Sequence, residues 1–187
     1  MSPRELPWPC SNVVPGMAPL AVILAQTKET AVAVTGIRAY PAGFGFTLHL
    51  RLRNLHPRQR REFWPFHELG RHRGPEWPDE VLRLTIEFAD GRSVTNLDPP
   101  TVGSGGPDPD RPMLSSGPGT GGGVDGWSFD MEYRARPLPP PGPLAFICVW
   151  PGRGIPSSRA EVDGAAVREA ADAAMTLWLD DPYCSDD

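Results

Sequence analysis

Four stretches of this chain alternate apolar and polar residues one by one, and the clearest are Phe46-Thr47-Leu48-His49-Leu50-Arg51-Leu52-Arg53 and Leu82-Arg83-Leu84-Thr85-Ile86-Glu87-Phe88. In a strand, successive side chains point to opposite faces, so this rhythm sends one row into a core and the other into water. An amphipathic helix needs a repeat near 3.6 and does not fit it. The pattern therefore predicts antiparallel sheets packed face to face, and it carries little information about chemistry.

The remaining segments fill in that architecture. Leu20 to Gln26 and Thr30 to Tyr40 are rich in apolar and β-branched residues and are predicted strands. Pro41-Ala42-Gly43 is a turn signal that joins the second of them to Phe46–Arg53 as a hairpin. Asp90-Gly91 marks a second hairpin after the strand Val81–Ala89. A two-residue loop there would turn Val94 outward. A three-residue loop, Ala89-Asp90-Gly91 with Gly91 left-handed, sets Val94 opposite Ile86 on the buried side and is preferred, because register follows the buried face. Trp127 to Tyr133 alternates cleanly, and Leu144 to Trp150 is apolar on both parities, as a central strand covered on two sides would be. Asp163 is placed to cap a helix running to about Leu179, with Val167, Ala170, Ala171, Ala174 and Trp178 on one face.

These readings predict a mainly β protein: an antiparallel β-sandwich of immunoglobulin-like architecture, with six to eight strands and a C-terminal helix packed on it. Residues 1–19 are expected to be an irregular proline-rich lead-in, 20–179 a single domain, and 180–187 an acidic tail. Within the domain, 98–126 is rich in glycine and proline and is expected to be a flexible loop. Pro137 to Pro143 is expected to be a stiff polyproline turn.

Charge is unevenly distributed. The chain carries 18 basic and 23 acidic residues, a net charge of −5, which argues against general nucleic-acid binding. Lys28 is the only lysine beside 17 arginines. Since Ala, Gly, Pro and Arg codons are GC-rich, this bias reports a GC-rich genome rather than a phosphate-binding design. Locally, Arg51 to Arg73 holds seven arginines against Glu62 and Glu68, whereas Ala160 to Asp187 holds eight acids against Arg168. Cys10, Cys148 and Cys184 are odd in number and far apart, so they imply neither a disulfide framework nor a metal site, and Cys148 is expected to be a buried small hydrophobe. No apolar run approaches the ~18 residues needed to span a bilayer. The N-terminus has Pro3, Pro7, Pro9 and Glu5 in place of a charged start and an apolar stretch. The expectation is a cytoplasmic protein without cofactor or metal and away from the membrane.

Catalytic motifs fail on spacing or context. His67-Glu68-Leu69-Gly70-Arg71-His72 has one residue too many for the zinc-protease arrangement, in which two histidines four apart share a helical face. Gly117-Pro118-Gly119-Thr120-Gly121-Gly122 matches a dinucleotide fingerprint in letters, but it lacks the preceding strand and following helix that bring phosphate to a helix N-terminus. There is no Gly-x-Ser-x-Gly nucleophile elbow and no phosphate-loop lysine. Asp108 and Asp110 open like a calcium loop but lack its later ligands.

The segment richest in recognition chemistry is 58–77, where Arg58, Arg60, Arg61, Arg71 and Arg73 mix with Phe63, Trp64, Phe66, His67 and Trp77. Arginine and aromatic side chains are favoured interface anchors, and exposed aromatics would form an apolar patch in need of a partner. The plainer reading folds those aromatics inward as a lid over a sheet end. The sequence thus predicts a non-enzymatic binding module for another protein or a second copy of itself. A hydrolase-type site near His67, Glu68 and His72 is the alternative, and anion or nucleic-acid binding through the arginines is a weaker third.

The run Pro137-Leu138-Pro139-Pro140-Pro141-Gly142-Pro143-Leu144, then Trp150-Pro151, Gly154-Ile155-Pro156, an alanine-rich helix ending in Trp178 and a glycine string before Trp127, resembles a group of uncharacterised small actinobacterial proteins over about residues 81 to 179. The resemblance implies an origin and a shared fold, and it brings no catalytic residue with it.

Overall fold

A computed structural model describes residues 11–54, 77–98, 111–122 and 127–178. In chain order they form β1 (Val13–Val14), β2 (Gly16–Ala18), β3 (Val22–Gln26), β4 (Thr30–Tyr40), β5 (Gly43–Leu52), β6 (Arg83–Glu87), β7 (Ser93–Thr95), β8 (Met113–Gly122), β9 (Trp127–Arg136), β10 (Pro143–Trp150), β11 (Ile155–Asp163), helix α1 (Gly164–Asp172) and β12 (Met175–Thr176). The protein is mainly β, with antiparallel sheets and, among the described residues, one α-helix near the C-terminal end. A six-stranded sheet runs β2-β4-β5-β9-β8, with β3 also paired to β4, and a four-stranded sheet runs β11-β10-β6-β7. A short ribbon, β1 with β12, joins the two ends of the described chain.

The period-two rows sort as expected. Leu48, Leu50, Leu84 and Ile86 are fully buried, so the alternation does mark a core face. The inner rows of both sheets meet in a single apolar cluster. At its centre Phe46 of β5 stacks on Tyr133 of β9 at 5.5 Å and meets Phe146 of β10 edge-on at 5.2 Å, so one ring ties the two sheets together.

Both hairpins follow their local chemistry. Tyr40 pairs with Gly43, leaving Pro41 and Ala42 as the loop. Phe88 N–H donates to Arg92 O, Gly91 has φ 84°, and Ile86 faces Val94, which fixes the three-residue loop that buries Val94. β10 lies between β11 and β6 and is buried along most of its length, as its two-sided apolar pattern requires.

Three expectations are corrected. First, the glycine run within 98–126 is no loop over 113–122, because it forms the edge strand β8 on β9. A Cβ at Gly119 or Gly121 would stand 2.6 or 2.7 Å from ring carbons of Phe129, which itself stacks on Trp127. Bare backbone can lie against those rings where side chains could not, so glycine here serves a strand rather than a flexible peptide.

Second, the helix does not run to Leu179. It starts as predicted, with Asp163 Oδ1 accepting from Ala165 N–H at 2.9 Å, and it buries Val167, Ala170 and Ala171. It then stops at Asp172 because the chain turns to pair with β1. Asn12, 1 % exposed, fixes that turn: its Nδ2 donates to Trp178 O, its Oδ1 accepts from Trp178 N–H, and its carbonyl accepts from Leu177 N–H. Trp178 is therefore off the helix and exposed. Third, the lead-in is not irregular throughout, since β1 and β2 lie within it.

Helix α1 packs on β2 and β4 so closely that a Cβ at Gly16 would overlap the carbonyl oxygen of Ala170. Gly16→Ala should therefore lower unfolding free energy by about 2 kcal/mol or more in urea titrations, as overpacking against backbone does. A loss below about 0.5 kcal/mol would place the helix elsewhere. Cys148 is fully buried in the core, and burial pushes its thiol up to about 12. Alkylation followed by peptide mass mapping should find Cys148 protected in the native chain at pH 8 and modified in denaturant; modification at the rate of a free thiol would contradict this packing.

Candidate functional site

Of the ten residues singled out in 58–77, nine lie outside the described residues: Arg58, Arg60, Arg61, Phe63, Trp64, Phe66, His67, Arg71 and Arg73. Glu68 and His72 do as well. Trp77 is half-buried, and its carbonyl accepts a hydrogen bond from Arg83 Nη2 at 2.8 Å, which ties it to β6. The described residues bring together a different set.

The outer face of the six-stranded sheet carries the polar row of each strand, and pairing aligns these rows into ranks. One rank runs Ala33, His49, Asp130 and Thr120 across β4, β5, β9 and β8; the next runs Thr35, Thr47 and Glu132. A bulge at Gly36, with φ 62°, then resets the phase of β4, so that Ile37 and Ala39 stay inside and Arg38 faces out opposite Gly45. Gly45 offers no side chain, and Arg38 passes diagonally to Glu132 at 3.1 Å.

Within these ranks Thr35, His49 and Asp130 form a continuous hydrogen-bonded chain. Thr35 Oγ1 lies 2.7 Å from His49 Nε2, and His49 Nδ1 lies 2.8 Å from Asp130 Oδ1. The partners assign the protons: an ionised carboxylate only accepts, so Nδ1 carries hydrogen, and in the neutral ring Nε2 accepts from the threonine hydroxyl. Arg51 reaches both oxygens of Asp130, at 2.5 and 3.4 Å, and also donates to Leu50 O at 2.9 Å. Partial burial raises the Asp130 carboxyl, and the hydrogen bonds from Arg51 and His49 outweigh it, so the group sits below the ordinary carboxylate range. The chain is accessible from one side, with the His49 side chain 23 % and that of Asp130 37 % exposed.

Two physical roles follow from this geometry. Cross-strand polar pairs stabilise a sheet by tenths of a kilocalorie to about 1 kcal/mol each. The same proton arrangement also holds a hydroxyl against a ring nitrogen that can take its proton. No group of three or more metal-ligating side chains occurs among the described residues, and no helix among them is long and apolar enough to cross a membrane. The chain matches no family model, no curated protein and no solved structure.

Sequence reasoning missed this cluster, although it identified the strands that carry it. His49 and Arg51 are the polar partners of Leu48 and Leu50, and Asp130 alternates with Phe129 and Met131. What the sequence withheld was which strands are neighbours: β5 pairs with β9, about eighty residues away. The low carboxyl of Asp130 has a pH consequence. Its stabilising contribution is complete above the unfolded carboxylate value near 4, and it is lost as pH falls through the lower folded value. Asp130→Asn should flatten that part of the acid limb in unfolding titrations between pH 5 and pH 2. An unchanged acid limb would mean that Asp130 is not held ionised by Arg51 and His49.

Proposed function

We propose that this chain is a protein-binding module whose contact surface is the outer face of the six-stranded sheet, extended by the arginine-aromatic stretch 58–77. The observation that carries the reading is the charge of that face. Among the described strand residues of that sheet, Arg38, Arg51, Arg134 and Arg136 share it with only Asp130 and Glu132, in a chain whose net charge is −5. Arg134 stands opposite Gly45 and has no ion pair among the described residues, so its charge is available to a partner. A basic face on an acidic molecule steers an acidic partner towards one orientation. The sheet beneath is packed on its other side, a support that limits the ordering cost of association.

The sequence holds further candidate anchors between β5 and β6. β5 ends at Leu52, and the stretch 55–76 that follows in sequence holds Phe63, Trp64 and Phe66 among five further arginines. Trp and Arg are the side chains that most often dominate interface energy. The shared fold and origin implied by the resemblance to small actinobacterial proteins are consistent with this reading and add no partner.

The immobilised full chain should retain a reproducible set of proteins from a lysate of its native cells. Arg134→Glu and the double variant Arg61→Ala/Trp64→Ala should each lose the same members of that set, and moderate salt should weaken the retention. An identical set on wild type and variants, or no specific retention by wild type, would overturn the reading.

A further inference from the structure

We infer that Thr35 is a primed hydroxyl nucleophile, with His49 as its general base and Asp130 as the positioning residue, able to accept an acyl or phosphonyl group from an activated ester. The two readings share Arg51, which here only supports Asp130, but the test below reads Thr35 and His49, which the binding test leaves untouched, so either can fail without the other.

The geometry supplies the parts in order. The Thr35 hydroxyl is already at hydrogen-bond distance, 2.7 Å, from His49 Nε2, the nitrogen free to accept in the neutral tautomer whose Nδ1 donates to Asp130. Asp130 holds the other ring nitrogen at 2.8 Å and so selects the tautomer in which Nε2 is the base. Arg51 grips both oxygens of Asp130 and keeps the carboxylate ionised and aimed at the ring. The three groups come from β4, β5 and β9, whose inner faces are packed in the core, so the constellation stands on rigid backbone rather than on loops. Thr47, the register partner of Thr35, puts a second hydroxyl on the same face.

The step balances within these groups. Thr35 Oγ1 bonds to the carbonyl carbon of an ester while its proton passes to His49 Nε2. The tetrahedral centre collapses, the bond to the leaving alkoxide breaks, and His49 returns the proton to that alkoxide as the alcohol departs. Water, deprotonated by His49 in its turn, then releases the acid and restores Thr35. A fluorophosphonate stops the cycle after its first half: an oxygen–phosphorus bond forms at Thr35, fluoride leaves, and the adduct is stable.

The test is therefore labelling of the full-length folded chain with a fluorophosphonate, with the site located by peptide mass mapping and the rate followed by intact mass. The wild type should form one adduct on Thr35. Thr35→Val should abolish it, and His49→Gln should slow it by about a hundredfold or more, as loss of a general base does. Asp130→Asn should slow it as well, and Asp130→Glu should restore part of the rate, which a purely structural role would not predict. Circular dichroism spectra matching the wild type establish that each variant is folded. No adduct at Thr35 in the wild type overturns the inference, as does a Thr35 adduct that forms equally fast in folded His49→Gln.

Discussion

The ring of Phe46 touches Tyr133 within its own sheet and Phe146 in the other, and this contact organises the molecule. Burying an aromatic side chain contributes roughly 1.5–3 kcal/mol, so a row of such residues on each sheet provides a driving force that no polar contact on the surface approaches. Because side chains alternate strictly along a strand, satisfying the inner row leaves no freedom in the outer one. Slipping β5 by one residue against β9 would expose Phe44, Phe46, Leu48 and Leu50 together. The register that prevents this also sets His49 beside Asp130 and Thr47 beside Glu132.

The polar face is thus a consequence of the core. Its groups are far apart in sequence and come within hydrogen-bond distance only through strand pairing. The bulge at Gly36 refines the result, since a single left-handed residue lets Ile37 stay inside while Arg38 is re-aimed towards Glu132. Glycine solves a different problem at the sheet edge, where β8 lies directly on the Phe129 and Trp127 rings. A residue that weakens strands elsewhere is thus required in both places, at Gly36 by a left-handed backbone and in β8 by a close approach.

Much of this was legible from local pattern, and what was not has identifiable physical causes. Strands β4, β5, β6, β9 and β10, the Asp90-Gly91 hairpin and the Asp163 cap all announce themselves in a few adjacent residues. β8 does not, because its reason for being a strand lies in the rings of β9. β11 was passed over because edge strands need little apolar content: its exposed residues include Pro156 and Arg159, and Ser158 anchors it by a hydrogen bond to Leu24 O on the other sheet. The helix end was misplaced because alanine favours continuing, whereas Asn12 holds the following turn by contacts 166 positions away. The hydrogen-bonded cluster was hidden for the same reason, since pairing between distant strands leaves no local trace.

The interlocking of the two inner rows is most directly measured by a double-mutant cycle on Phe46→Leu and Phe146→Leu, with unfolding free energies from urea titration. If the rings bridge the sheets as described, the two losses will be non-additive, with a coupling of about 0.5–1.5 kcal/mol, as edge-to-face pairs give. Losses that add to within about 0.3 kcal/mol would mean that the rings do not meet. The shared core, and the outer face whose order depends on it, would then have to be abandoned.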